Sequence, residues 1–182
     1  MKNIILISGH ARNGKDTLAK YLKQRLEIKG NKVLVDHLAK YIKGYCYQNG
    51  WDGIKDKYWR SKLQVLGTDI IKEELNMKNF HAKRLAEDFE ILDKAFGIDY
   101  FLVPDVRFRD ELYYLKSAFP DNVITVKTVR LGNFDDNLTE EQKKHKSETD
   151  LNDVKMDYTI YSQTVCQLYD ECDRVLKNVL NY

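Results

Sequence analysis

The sequence predicts an α/β fold: a three-layer αβα sandwich on a five-stranded parallel sheet, with an inserted helical lobe and a lid. Three observations predict it. Five short apolar runs rich in β-branched residues alternate with stretches whose apolar residues recur at helical spacing, the pattern of parallel strands joined by helical crossovers. The first run leads directly into a glycine-bounded turn and then an amphipathic helix. Between the second and third runs lie roughly sixty residues of helical pattern, too many for a simple crossover.

Taken in order, Ile4-Ile5-Leu6-Ile7 is the first strand. Leu18, Leu22 and Leu26, with Ala19 beside them, give a helix face that Gly30-Asn31 terminates. Val33-Leu34-Val35 is the second strand, parallel to the first because a helix intervenes. A helical stretch begins at Asp36-His37-Leu38-Ala39-Lys40-Tyr41-Ile42-Lys43 and is broken by Asn49-Gly50 and Asp52-Gly53. From 58 to about 75, Leu63, Leu66, Ile70 and Ile71 predict a helix with Gly67 as its weak point. Phe80, Leu85, Phe89 and Leu92 predict another, closed by Gly97. Tyr100-Phe101-Leu102-Val103, followed by Pro104-Asp105, is the third strand, 123–129 the fourth and Tyr158-Thr159-Ile160-Tyr161 the fifth. A final helix carries Val165, Leu168, Cys172, Val175, Leu176 and Val179 on one stripe. The stretch 132–150, with Asp135-Asp136, Glu140-Glu141 and Lys143-Lys144-His145-Lys146, reads either as a solvated loop or exposed helix, or as a mobile lid.

Length and composition bound the function. At 182 residues with 43% hydrophobic, the chain has one domain's length and can bury roughly two-thirds of its unfolded surface. One domain over 1–182 is expected: core 1–36, 98–130 and 156–182, helical acceptor lobe about 37–97, lid about 131–150. The 30 Lys+Arg against 28 Asp+Glu leave a charge of +2, too weak a field to gather nucleic acid or an anionic membrane, so small-molecule chemistry is favoured. Cys46, Cys166 and Cys172 form no Cys-x-x-Cys pair, which argues against a disulfide framework or zinc knuckle and fits a reducing cytoplasm. The first apolar run is a strand and not a signal peptide, and no segment has the length to cross a bilayer. Whether the chain forms a homodimer is open.

The turn after the first strand carries the chemistry. Gly9 and Gly14 bound four residues, His10, Ala11, Arg12 and Asn13, and Lys15 follows at once, which is the P-loop spacing. Backbone N–H groups and a helix N-terminus there face phosphate oxygens while the lysine reaches the terminal phosphates, so 9–17 is the expected ATP cradle. Where most such loops carry Ser or Thr, this one has Asp16, with Thr17 next. A carboxylate can hold hydrated Mg2+, which makes Asp16, Thr17 and Asp105 the metal candidates. Ligands of open α/β sheets bind beyond the carboxyl ends of strands, so Asp105 and Arg107 reach the same edge as the loop, unless they form an ion pair or a helix cap. Lys15, Asp105 and Arg107 are thus the catalytic candidates, Arg107 because its guanidinium can grip phosphate with two bonds. Arg60 and Arg84 are weaker, since an isolated helical arginine is usually a solvated charge. His10, His37, His81 and His145 are too scattered for metal-ligand spacing, and no Ser/His/Asp or Cys/His arrangement suggests a covalent hydrolase.

Four segments carry a family resemblance: Ser8-Gly9 to Gly14-Lys15-Asp16-Thr17; Leu66-Gly67-Thr68-Asp69 with Arg60 upstream; Val103-Pro104-Asp105-Val106-Arg107; and Val129-Arg130 through His145-Lys146-Ser147-Glu148 to Leu151. The chain resembles the deoxynucleoside monophosphate kinases of phage and bacterial type, within the P-loop nucleoside monophosphate kinase group. The resemblance implies transfer of the γ-phosphoryl of ATP, with Mg2+, to a nucleoside 5′-monophosphate held by the helical lobe. It implies acceptor-phosphate contacts from Arg60 and Arg107, with Arg130 as the lid-proximal catalytic cation; Asp69 and Arg84 are further substrate-binding candidates. After Arg130 the lid stretch has no arginine, only Lys143, Lys144 and Lys146 as strong cations. Animal-type phosphomevalonate kinases resemble the same Gly-Lys-Asp loop, Asp-x-Arg strand end and Ser-Glu-x-x-Leu stretch, so another phosphorylated metabolite is an alternative acceptor. A nucleotide-binding module without turnover is the non-enzyme alternative.

Overall fold

Strands buried on both faces read as continuous apolar runs. In the computed structural model, which describes residues 3–132, 134 and 139–179, five such runs form one parallel sheet. They are β1 (Asn3–Ser8), β2 (Val33–Val35), β3 (Tyr100–Val103), β4 (Val123–Arg130) and β5 (Tyr158–Ser162), in spatial order β2-β3-β1-β4-β5. The first strand is therefore central, with Ile4 opposite Phe101 on one side and Val123 on the other.

The helices are α1 (Lys15–Ile28), α2 (Lys40–Gln48), α3 (Lys57–Gln64), α4 (Phe80–Phe96), α5 (Arg109–Ala118), α6 (Glu140–Lys144), α7 (Lys146–Thr149) and α8 (Val165–Val179). A π-helical segment, Val65–Glu74, continues α3. Successive side chains of a strand alternate between faces, and β1 shows the consequence. Ile5 and Ile7 pack with Leu18, Leu22 and Leu26 of α1 and Leu168, Cys172 and Leu176 of α8. Ile4 and Leu6 pack on the opposite side with Leu85 and Phe89 of α4 and Leu112 and Leu115 of α5. The three-layer αβα sandwich is thus the one the sequence predicts.

Differences are local. The helix expected from Asp36 begins at Lys40, because the Asp105 carboxylate accepts the N–H groups of Leu38 (2.9 Å) and Ala39 (3.0 Å) while Asp36 accepts that of His37. Those bonds hold 36–39 in a turn instead. The helix expected over 58–75 widens after Gln64, where Leu75 N–H reaches the Ile70 carbonyl five residues back. Gly67 sits in the widened part, and a Cβ there would stand 3.2 Å from Ile42 Cδ1, so the missing side chain lets α2 approach. Helix α5 had no counterpart in the expectations, although Phe108, Leu112 and Leu115 recur at helical spacing. In the stretch expected as a lid, 139–150 forms α6 and α7, and Leu151 just beyond joins the core at 7% exposure. Asp135 and Asp136 lie outside the described residues.

Candidate active site

The loop between β1 and α1 is fixed to β4. Gly9 has φ +144°, and a Cβ there would lie 2.5 Å from the Thr128 carbonyl oxygen, so only glycine fits this approach. Asn13 is buried and donates through Nδ2 to that same carbonyl at 3.2 Å. Gly14 at φ +84° caps α1 in the left-handed region. Lys15 follows at 8% exposure, its ammonium donating to the carbonyls of Gly9 and His10, both at 2.7 Å. Burial first, and then the Arg107 charge, lower its pKa to about 8.

The carboxyl end of β3 faces this loop. Beyond the turn that Asp105 anchors, the Arg107 guanidinium pairs with Glu148 Oε1 of α7, and Glu148 Oε2 accepts the Ala11 N–H at 3.0 Å. The backbone at this strand end is held by a second carboxylate. Glu111 accepts the N–H groups of Arg107 and Phe108, both at 3.1 Å, and receives Lys72 Nζ at 3.0 Å. Lys72 and Glu111 are 5% and 3% exposed, and the ammonium lies 3.5 Å from the centroid of the Phe108 ring. Burial pushes the Glu111 carboxyl upward, opposed chiefly by the Lys72 charge. On the outer side Asp16 faces His37 at 3.7 Å; their attraction is the main cause that lowers the Asp16 pKa and raises that of His37.

A cavity of about 360 Å³ joins these pieces. Ala11, Arg12, Lys15 and Asp16 form its loop wall, Asp105 and Arg107 its strand wall, and Arg60, Leu63, Thr68 and His81 belong to the wall from the helical lobe. Lys15 and the pair Asp105/Arg107 therefore share one cleft. Other expected residues lie off its wall. Arg84 stacks 4.4 Å from the Phe80 ring centroid and reaches Tyr45 Oη at 3.4 Å, Asp69 is exposed, Arg130 stands 4.5 Å over the Phe134 ring, and Thr17 is half-buried in the first turn of α1. Gly9 and His10 line a smaller neighbouring cavity with Glu148 and Lys127. Among the described residues no group of three or more His, Cys, Asp or Glu is arranged to hold a metal. Four carboxylates line the cleft. Asp105, Glu111 and Glu148 are engaged by N–H groups or cations of the chain, whereas Asp16 is exposed and meets His37, so its chemistry would fit a hydrated Mg2+ that takes its other ligands from phosphates and water.

Lysine titration gives a first test. A phosphate beside Lys15 would favour the ammonium, so above about pH 8 its binding would have to restore a proton to Lys15. Affinity for a non-hydrolysable ATP analogue is expected to hold from about pH 7 to 8 and then fall by up to about tenfold per pH unit. Calorimetric titration checks this, with a Lys15→Met protein expected to lose the slope.

No protein-family profile matches the chain, and no curated protein does. Solved structures do. The APS kinase of Mycobacterium tuberculosis in complex with AMPPNP and APS is 12% identical with a TM-score of 0.59, covering 100% of this chain and 98% of that chain. A candidate kinase from Chloroflexus aurantiacus is 14% identical with a TM-score of 0.54, over 99% and 97% of the two chains. A Thermus thermophilus protein is 17% identical with a TM-score of 0.50, again over 99% and 97%. Identities this low speak for the backbone alone, and what they establish is that the chain has the α/β fold of P-loop kinases.

Proposed function

We propose that the protein transfers the γ-phosphoryl group of ATP to a nucleoside 5′-monophosphate, most simply a deoxynucleotide, giving the diphosphate. The observation that carries this reading is the cleft in which Lys15 faces Asp105 and Arg107, with the helical lobe as third wall. That AMPPNP and APS are held together by a protein of similar fold also supports it.

In this reading the loop N–H groups and Lys15 hold the donor phosphates. Arg107 and Arg60 grip the acceptor phosphate from the opposite walls. Asp16, with Thr17 next to it in the first turn of α1, would hold Mg2+, which would supply charge neutralisation at the phosphoryl oxygens. Asp105 fixes the turn before α2, joining the strand end to the acceptor lobe. An oxygen of the acceptor phosphate then attacks the γ-phosphorus in line as ADP leaves, and Lys15 balances charge on the transferring group. Catalysis is positioning and electrostatics, with no covalent protein intermediate.

An ADP-release assay across the deoxy- and ribonucleoside monophosphates, with phosphomevalonate as a separate arm, tests this. ADP release dependent on at least one nucleotide acceptor is the expected result. Release with phosphomevalonate alone reassigns the acceptor, and silence with all acceptors at millimolar concentration overturns the proposal.

A further inference from the structure

The Ala11 N–H and the Arg107 guanidinium converge on one point, and that point is filled by a carboxylate of the chain itself. Glu148 Oε2 accepts the N–H at 3.0 Å and Oε1 pairs with Arg107, while the His10 ring comes within 3.9 Å. A main-chain N–H and a guanidinium are the donors a phosphoryl oxygen would use. The side chain is 5% exposed, so this is no solvated surface charge.

Its presentation is built in. Glu148 lies in α7, whose first turn is capped by His145, with Ser147 N–H bonded to its Nδ1 at 3.2 Å. Two residues on, Asp150 accepts the Arg109 N–H at 2.8 Å, and Leu151 is buried in the core. Glu148 also lines, with Lys127, a neighbouring cavity of about 20 Å³, and the Lys127 ammonium there donates to the carbonyls of Leu151 at 3.3 Å and Asn152 at 3.1 Å.

We propose that Glu148 is an internal occupant of a phosphoryl subsite: its carboxylate holds the position between Ala11 and Arg107 that a substrate phosphate takes, and the phosphate must displace it. This rests on the phosphotransferase reading above. A second anion beside a buried carboxylate is repelled, so the subsite discriminates against any ligand too weakly held elsewhere to drive Glu148 out. ATP without an acceptor is kept from the Arg107 charge, which limits hydrolysis by water.

Calorimetric titration of the wild-type and Glu148→Gln proteins with inorganic tripolyphosphate and with a non-hydrolysable ATP analogue tests this. Glu148→Gln is expected to bind tripolyphosphate at least about tenfold more tightly and to hydrolyse ATP faster without acceptor. Equal or weaker binding by the variant overturns the proposal and leaves Glu148 as a strut for Arg107. Failure of the wild-type protein to bind either ligand overturns the phosphotransferase reading and the proposal with it. Hydrogen exchange on the wild-type protein is a test that needs no variant: tripolyphosphate should accelerate exchange over 145–150, and unchanged or slower exchange overturns the displacement.

Discussion

Replacing Lys15 with methionine is expected to lower turnover by about 10³-fold while leaving the fold as stable as before, or more so. On the proposed function the loss follows from removing the cleft-lining ammonium that the Gly9 and His10 carbonyls hold in place, a preorganised cation for developing phosphoryl charge. The unchanged stability follows from the lysine's displaced titration. Its pKa is about 8 in the fold against an ordinary 10.5, so the folded state holds the charged form less well than the unfolded chain does, by on the order of 3 kcal/mol. Between those two values the unfolded chain binds more protons, and stability should rise with pH. Methionine fills the space without that charge. Activity assays beside urea denaturation separate the two effects, and a variant that is both inactive and markedly less stable would make Lys15 a structural strut.

The Lys72–Glu111 pair should show the opposite profile. Glu111→Leu leaves a buried ammonium without its carboxylate and strips the Arg107 and Phe108 N–H groups of their acceptor, at an expected cost of about 3–5 kcal/mol. For a domain of this size that is a fall in Tm of roughly 10 °C. Adding Lys72→Met should return most of the stability, because no buried charge is then left unpaired. The double variant should still bind acceptor poorly, since the N–H groups that set the Arg107 backbone remain unpartnered. Calorimetric melting and acceptor KM measure the two consequences; a double variant no more stable than Glu111→Leu would show that the carboxylate matters only as a backbone acceptor.

What the sequence made legible was whatever depends on neighbours along the chain. The strands, α1, α4 and α8 follow from short-range periodicity, and the turn between β1 and α1 from its glycine spacing, so these elements lie where expected. The start of α2 is set instead by Asp105, 67 positions from Leu38. The π-helical segment turns Thr68 and Lys72 inward and leaves Asp69 exposed, which a 3.6-residue period could not foresee. Glu148 belongs to a charged stretch that reads as solvated, and only its meeting with Ala11, 137 positions away, reveals a buried anion. Arg60 and Arg84 look alike in sequence, and helix packing alone puts the first on the cleft and the second on an aromatic ring.

The position of β1 bears on how the protein is made. Strand β1 leaves the ribosome well before both of the strands it must hydrogen-bond to, around residues 101 and 123, so its partners are translated long after it. Until then Ile4 to Ile7 is an unpaired apolar edge on a nascent chain, the kind of surface that chaperones bind and that aggregates seed from. Such late pairing also makes refolding from denaturant slow compared with a helical bundle of the same length, because long loops must close before the central strand gains either neighbour.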